Sequence, residues 1–118
     1  MDIIYGSKEN LSVTEVDSEH AEKTKKRIVF SPENVWEDHV MRIFTMEKGG
    51  KTYQHAHEWP HWVFTLSGEG RVITEEENYE LSKGNYIFIP GNLSHNLENI
   101  GDEEFEFMCI VPREGDTF

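Results

Sequence analysis

Four of the six histidines fall into two clusters, His55, His57 and His61, followed by His95. Neutral imidazole is the commonest protein ligand for first-row divalent metals, so their spacing matters. Side chains two apart on an extended strand share a face, which lets His55 and His57 point at one ion across the small Ala56. His61 lies four residues beyond His57 and in an all-β context needs a turn. Trp59-Pro60 supplies it, because proline fixes its own φ and biases the residue before it away from helix. Three histidines at this spacing, with a fourth after Pro90-Gly91, favour a metal site over four separate structural rings. Glu58 follows His57 directly and on a continuing strand faces the opposite way, so it is not counted as a ligand.

The elements that must carry these rings show a period of two. Val40, Arg42, Phe44 and Met46 alternate with Met41, Ile43 and Thr45; Val63 and Thr65 alternate with Trp62, Phe64 and Leu66; Tyr86 and Phe88 alternate with Ile87 and Ile89. Turn residues recur at Gly49-Gly50, Gly68-Glu69-Gly70, Ser82-Lys83-Gly84, Pro90-Gly91-Asn92 and Asn99 to Asp102. Many short, closely spaced strands predict a sandwich or barrel. Ser31 to Asp38 is either a single helical turn capped by Ser31 or a plain loop. Lys23 to Arg27 is expected to be a solvated strand end, residues 1–11 and 113–118 to be weakly ordered tails or strands borrowed by a partner subunit, and His20 to be solvated.

On the strand Phe105 to Val111, the face with Phe105, Phe107, Cys109 and Val111 carries no acid and is assigned to the interior. Cys109 is then either a group behind the metal ligands or a small buried hydrophobe. Phe107 is a candidate wall beside the metal. Arg42, in mid-strand among apolar residues, either binds an anionic substrate at the barrel mouth or pairs with one of the many carboxylates. Trp59 and Trp62 flank His61 as pocket wall or dimer contact, whereas Trp36 and His39 suggest no chemistry.

Gly49, His55-Ala56-His57, His61 and Gly68 form one motif over residues 49–68, and Gly84, Pro90, Asn92, His95 and Asn99 a second over 84–99. Together they resemble the two signature motifs of the cupin superfamily. Asn92 replaces the usual glycine, a mild change because asparagine tolerates left-handed backbone. His61 replaces the usual glutamate ligand. The resemblance implies an all-β cupin double-stranded β-helix (a jelly-roll β-barrel), with one divalent transition metal held by His55, His57, His61 and His95. The 15 residues between Gly68 and Gly84 make a short connection, similar to small single-domain prokaryotic cupins of the Cupin_2 type. Several of those carry manganese on four histidines, so manganese is the first choice and iron the second, with nickel, copper and zinc also compatible with imidazole.

Four neutral ligands leave a divalent ion its full charge, and on an octahedral ion they leave two open positions. The expected function is a metal-dependent oxidoreductase of the dioxygenase type acting on a small organic substrate. The alternative is a non-enzymatic cupin that binds a metal or small ligand as a sensor or assembly partner. Fold alone does not choose between them.

Composition bounds the partners. A chain of 118 residues suits one domain, residues 1–118, with a sizeable core. Its 23 acidic and 11 basic residues give a net charge of -12, which argues against nucleic acid and anionic membrane surfaces. The single cysteine, Cys109, excludes an internal disulfide. The opening Met1-Asp2-Ile3-Ile4-Tyr5 has neither a basic region nor a long apolar one, so a signal peptide is not expected and a cytoplasmic location is. A homodimer is expected, its N-terminal edge strand pairing with the partner's sheet.

Overall fold

The alternating segments become strands in the computed structural model, which describes residues 2–117. They are β1 (Thr14–Val16), β2 (Ala21–Phe30), β3 (His39–Thr52), β4 (His61–Ser67), β5 (Gly70–Thr74), β6 (Asn78–Leu81), β7 (Tyr86–Ile89), β8 (His95–Asn99) and β9 (Phe105–Pro112). Their order in the sheet is β6-β5-β8-β3-β9-β4-β7, with β2 on β3 and β1 on β2. The sheet curls into a nearly closed jelly-roll barrel. Among the described residues no helix is long and apolar enough to cross a membrane.

β3 joins the two walls. Its first half pairs antiparallel with β9, from Val40 opposite Val111 to Met46 opposite Phe105, while its end pairs with β8 at Lys51 and Glu98. Asn99 ties the bend between them, its side-chain amide nitrogen lying 3.1, 3.2 and 2.7 Å from the carbonyl oxygens of Met46, Glu47 and Glu103.

The interior follows the period of two. Val40, Phe44 and Met46 on β3 are buried against Phe105, Phe107, Cys109 and Val111 on β9, and the Phe44 and Phe107 rings stack with centroids 5.4 Å apart. The acid-free face of β9 is therefore the interior one. On β4, Val63 and Thr65 point inward while Trp62 and Phe64 point outward.

Of the two readings of Ser31 to Asp38 the structure shows the plain loop, in which the backbone N–H groups of Asn34 and Trp36 both donate to the Ser31 carbonyl. Two expectations need correction. Lys23 to Arg27 lies inside β2 rather than at its end, and Lys26 is buried, its ammonium 3.1 Å from Asp116 Oδ1. The C-terminal tail is tied to its own chain: Arg113 N–H donates to the Asp38 carbonyl, a short 3-10 turn spans Arg113–Gly115, and Asp116 reaches into the barrel. The N-terminal tail forms a 3-10 turn at Lys8–Asn10 and an ion pair from Lys8 to Glu106 at 2.8 Å, while Ile3 and Tyr5 are exposed. The outermost residues of both tails, 1 and 118, lie outside the described residues.

Candidate metal centre

Backbone pairing sets the first two rings. His55 follows the end of β3 and bridges to His95 at the start of β8, each backbone N–H donating to the other's carbonyl at 3.1 and 3.0 Å. Directly opposed residues in an antiparallel pair point to the same face, and the two ring centroids are 5.2 Å apart. His61 opens β4 opposite Ile89, its ring 5.1 Å from that of His95. The His57 ring lies 4.2 Å from His55, 5.7 Å from His61 and 6.4 Å from His95. All four sequence-predicted histidines thus gather at one end of the barrel.

The loop carrying His57 is clasped by the second motif. Asn92 adopts φ 67, the left-handed conformation that asparagine tolerates, and its N–H donates to the His57 carbonyl. Gly91 packs so closely on the Glu58 carbonyl that any Cβ would overlap it. From below, Trp59 stacks on His57 with centroids 4.6 Å apart and planes 9° from parallel. Trp59 is therefore a wall of the site. Trp62 is not: it lies on the outer surface with its ring 5.9 Å from that of His39, which in turn stacks on Trp36.

The rings are neutral at pH 7, as metal ligation requires. Burial pushes the His55 pKa down to about 4, with repulsion from His57 and His95 adding to it, and pushes His61 down to about 3, with His95 and Arg42 adding. Burial also lowers His57 and His95. The Leu93 carbonyl, 2.9 Å from His95 Nδ1, accepts its proton, so the lone pair of that neutral ring sits on Nε2. His61 Nδ1 faces Cys109 Sγ at 3.6 Å, and its Nε2 is buried without a hydrogen-bond partner.

Among the described residues no group of three or more His, Cys, Asp or Glu side chains converges to hold an ion in this arrangement. Binding one requires the rings to turn toward a common point. The donor chemistry fits a divalent ion: four neutral imidazoles, one with an orphaned buried nitrogen and another with its tautomer set by a backbone carbonyl.

A cavity of about 390 Å³, its mouth included, adjoins the cluster and is lined by Arg42, Phe44, His55, His61, Phe107 and Cys109 among others. The Arg42 guanidinium donates to Cys109 Sγ at 3.2 Å, lies 3.4 Å from Asp116 Oδ1, and stands 4.9 Å from the Phe44 ring centroid. Burial pushes the Cys109 thiol up, so it remains protonated at pH 7.

Two participants were not evident from sequence. Asp116 was one of 23 acids, with no local pattern to mark it. His20, expected to be solvated, is half-buried near the cluster, close enough to add electrostatic repulsion to the burial that lowers His55 and His57. It arrives there because Ala21 pairs with Thr52 and the Tyr53 N–H donates to the His20 carbonyl.

The Cupin_2 family description, a cupin domain, matches residues 42–111. The chain belongs to this family. An uncharacterized protein of Methanocaldococcus jannaschii, MJ1618, is 34% identical over 62 residues, which cover 52% of this cupin and 50% of that relative's length. Among solved structures, the polyketide cyclase RemF of Streptomyces resistomycificus superposes with a TM-score of 0.86 at 21% identity, covering 95% of this chain and 80% of that one. A predicted oxalate decarboxylase from Thermotoga maritima superposes with a TM-score of 0.82 at 16% identity, covering 92% and 98%. At these identities the likeness speaks for the fold.

Proposed function

We propose that this cupin binds one divalent transition metal through His55, His57, His61 and His95, manganese first and iron second, and acts as an oxidoreductase of the dioxygenase type on a small organic molecule. The observation that carries this reading is the buried, partnerless Nε2 of His61 beside three other neutral rings. An unpaired buried polar atom costs about 1–3 kcal/mol, which a coordinate bond would offset. When bound, such an ion supplies Lewis acidity and coordination positions not taken by protein.

The chain's own residues do the rest. Cys109 Sγ faces Nδ1 of His61 and steadies that ring, the Leu93 carbonyl orients His95, and Trp59 backs His57. Phe44, Val63 and Phe107 give the cavity an apolar wall that limits water. The likeness to a polyketide cyclase and to a predicted oxalate decarboxylase supports small-molecule chemistry in a barrel of this shape.

Elemental analysis after chelation and reloading tests the site. About one ion per chain is expected in the parent and little in a His55→Ala/His95→Ala double variant; equal content in both overturns the assignment. Water-proton relaxation on the manganese form tests the chemistry. Fast inner-sphere exchange is expected, and a saturated ion that ignores added azide would leave only a binding role. We also propose that the working form is a homodimer.

A further inference from the structure

We infer that Arg42 is an anion anchor, gripping the carboxylate of a small organic acid whose other end reaches the histidine cluster. The second contact rests on the proposed metal site; the first rests on Arg42's own surroundings.

Arg42 is 2% exposed and lines the cavity beside His61 and Cys109. A buried guanidinium needs charge compensation and partners for its five N–H donors. Those it has are poor. Asp116 Oδ1 lies 3.4 Å from Nη1 and is shared with Lys26, which holds it more closely at 3.1 Å. Nη2 is directed at a neutral thiol, a weak acceptor, and Nε has no hydrogen-bond partner. Ion pairs of full strength between Arg and carboxylate are short and commonly bidentate, and the Asp116 contact is neither.

The rest of the cavity wall offers no competing negative charge. Its lining contains Arg42, three histidines and otherwise neutral or apolar side chains, with no aspartate or glutamate. With neutral imidazoles, a bound divalent cation would add to Arg42's charge rather than cancel it. The complementary ligand is an anion. The cavity is narrow beside Arg42 and much of its space belongs to the open mouth, which limits the anion to a small acid.

Malonate, with malonamide as its neutral counterpart, is a suitable probe, titrated calorimetrically into metal-loaded and chelator-treated protein while metal content is measured in the same samples. The loaded parent is expected to bind malonate at least about tenfold tighter than malonamide, and Arg42→Gln to erase that preference with metal content unchanged. Asp116→Asn removes the competing carboxylate and is expected to tighten malonate binding severalfold. This second variant decides the matter even if Arg42→Gln does not fold. A preference for malonate that survives in Arg42→Gln, or an affinity that does not rise in Asp116→Asn, overturns the inference. Failure to take up metal overturns the metal reading alone, because the malonate preference and its dependence on Arg42 and Asp116 are then read in the metal-free protein.

Discussion

His61 and His55 lose their protons at unusually low pH, about 3 and about 4, because burial disfavours the imidazolium and neighbouring cations repel it. In the unfolded chain the same rings titrate near 6.5. The unfolded state therefore binds more protons below that value, so the neutral rings' contribution to stability is complete above about pH 6.5 and is lost as pH falls toward the folded values. Chelator-treated protein is expected to melt at progressively lower temperature from pH 7 to pH 4, and His61→Gln to flatten that dependence. A melting temperature constant over this range would contradict the burial argument. Protons and metal compete for the same nitrogens, so release of a bound ion belongs well below the ordinary imidazole range. Cys109 supplies a second test at this scale. Replacing it with alanine removes the group facing His61 Nδ1 and is expected to weaken metal affinity about 10–100-fold, with an altered spectrum of the metal form, while the fold is retained. Unchanged affinity and spectrum would leave Cys109 only its packing role.

At the scale of elements, the strands were legible where burial imposes a period of two. β9 buries every second residue from Phe105 to Val111, and β3 buries Val40, Arg42, Phe44 and Met46, as alternation along the sequence requires. The histidine cluster was legible for a similar reason: motif spacing is local, and the turn at Pro90-Gly91-Asn92 is written in residue types that tolerate it. Contacts between distant parts of the chain were not. The pairing of Lys26 with Asp116 spans 90 residues and depends on where the tail folds back, which periodicity does not encode. Asn99 shows an element-level role that its motif position alone does not explain. Its amide joins the Met46 and Glu47 carbonyls of β3 to the Glu103 carbonyl just before β9, so Asn99→Ala removes three hydrogen bonds, one of them buried, and is expected to cost about 2–3 kcal/mol in urea unfolding. A loss within about 0.5 kcal/mol, the range of surface substitutions, would deny Asn99 this bracing role.

For the whole molecule, a net charge of -12 makes any approach of two copies costly unless the surfaces that meet are free of acids. The outer face of β4 and β7 meets that condition. Trp62 pairs across the strands with Phe88 and Phe64 with Tyr86, and Ile110 and Met108 of β9 continue the band. Phe88 is 53% and Tyr86 79% exposed, an unusual apolar display for so acidic a chain. None of these six side chains is charged, whereas the three-residue edge strand β1 offers far less surface than the roughly 800 Å² per partner of a stable interface. The proposed dimer accordingly has a second copy on this face rather than strand pairing through β1. Light scattering is expected to give twice the 13.8 kDa chain mass at micromolar concentration. Added salt screens the mutual repulsion while sparing the apolar contact, so the dimer should tighten as salt rises from about 0.05 to 0.5 M. Phe88→Glu brings a like charge to both sides of the interface and should shift the population to monomer without changing metal content. A parent mass of 13.8 kDa at every concentration and salt level would reject the dimer. A dimer indifferent to Phe88→Glu would move the interface elsewhere.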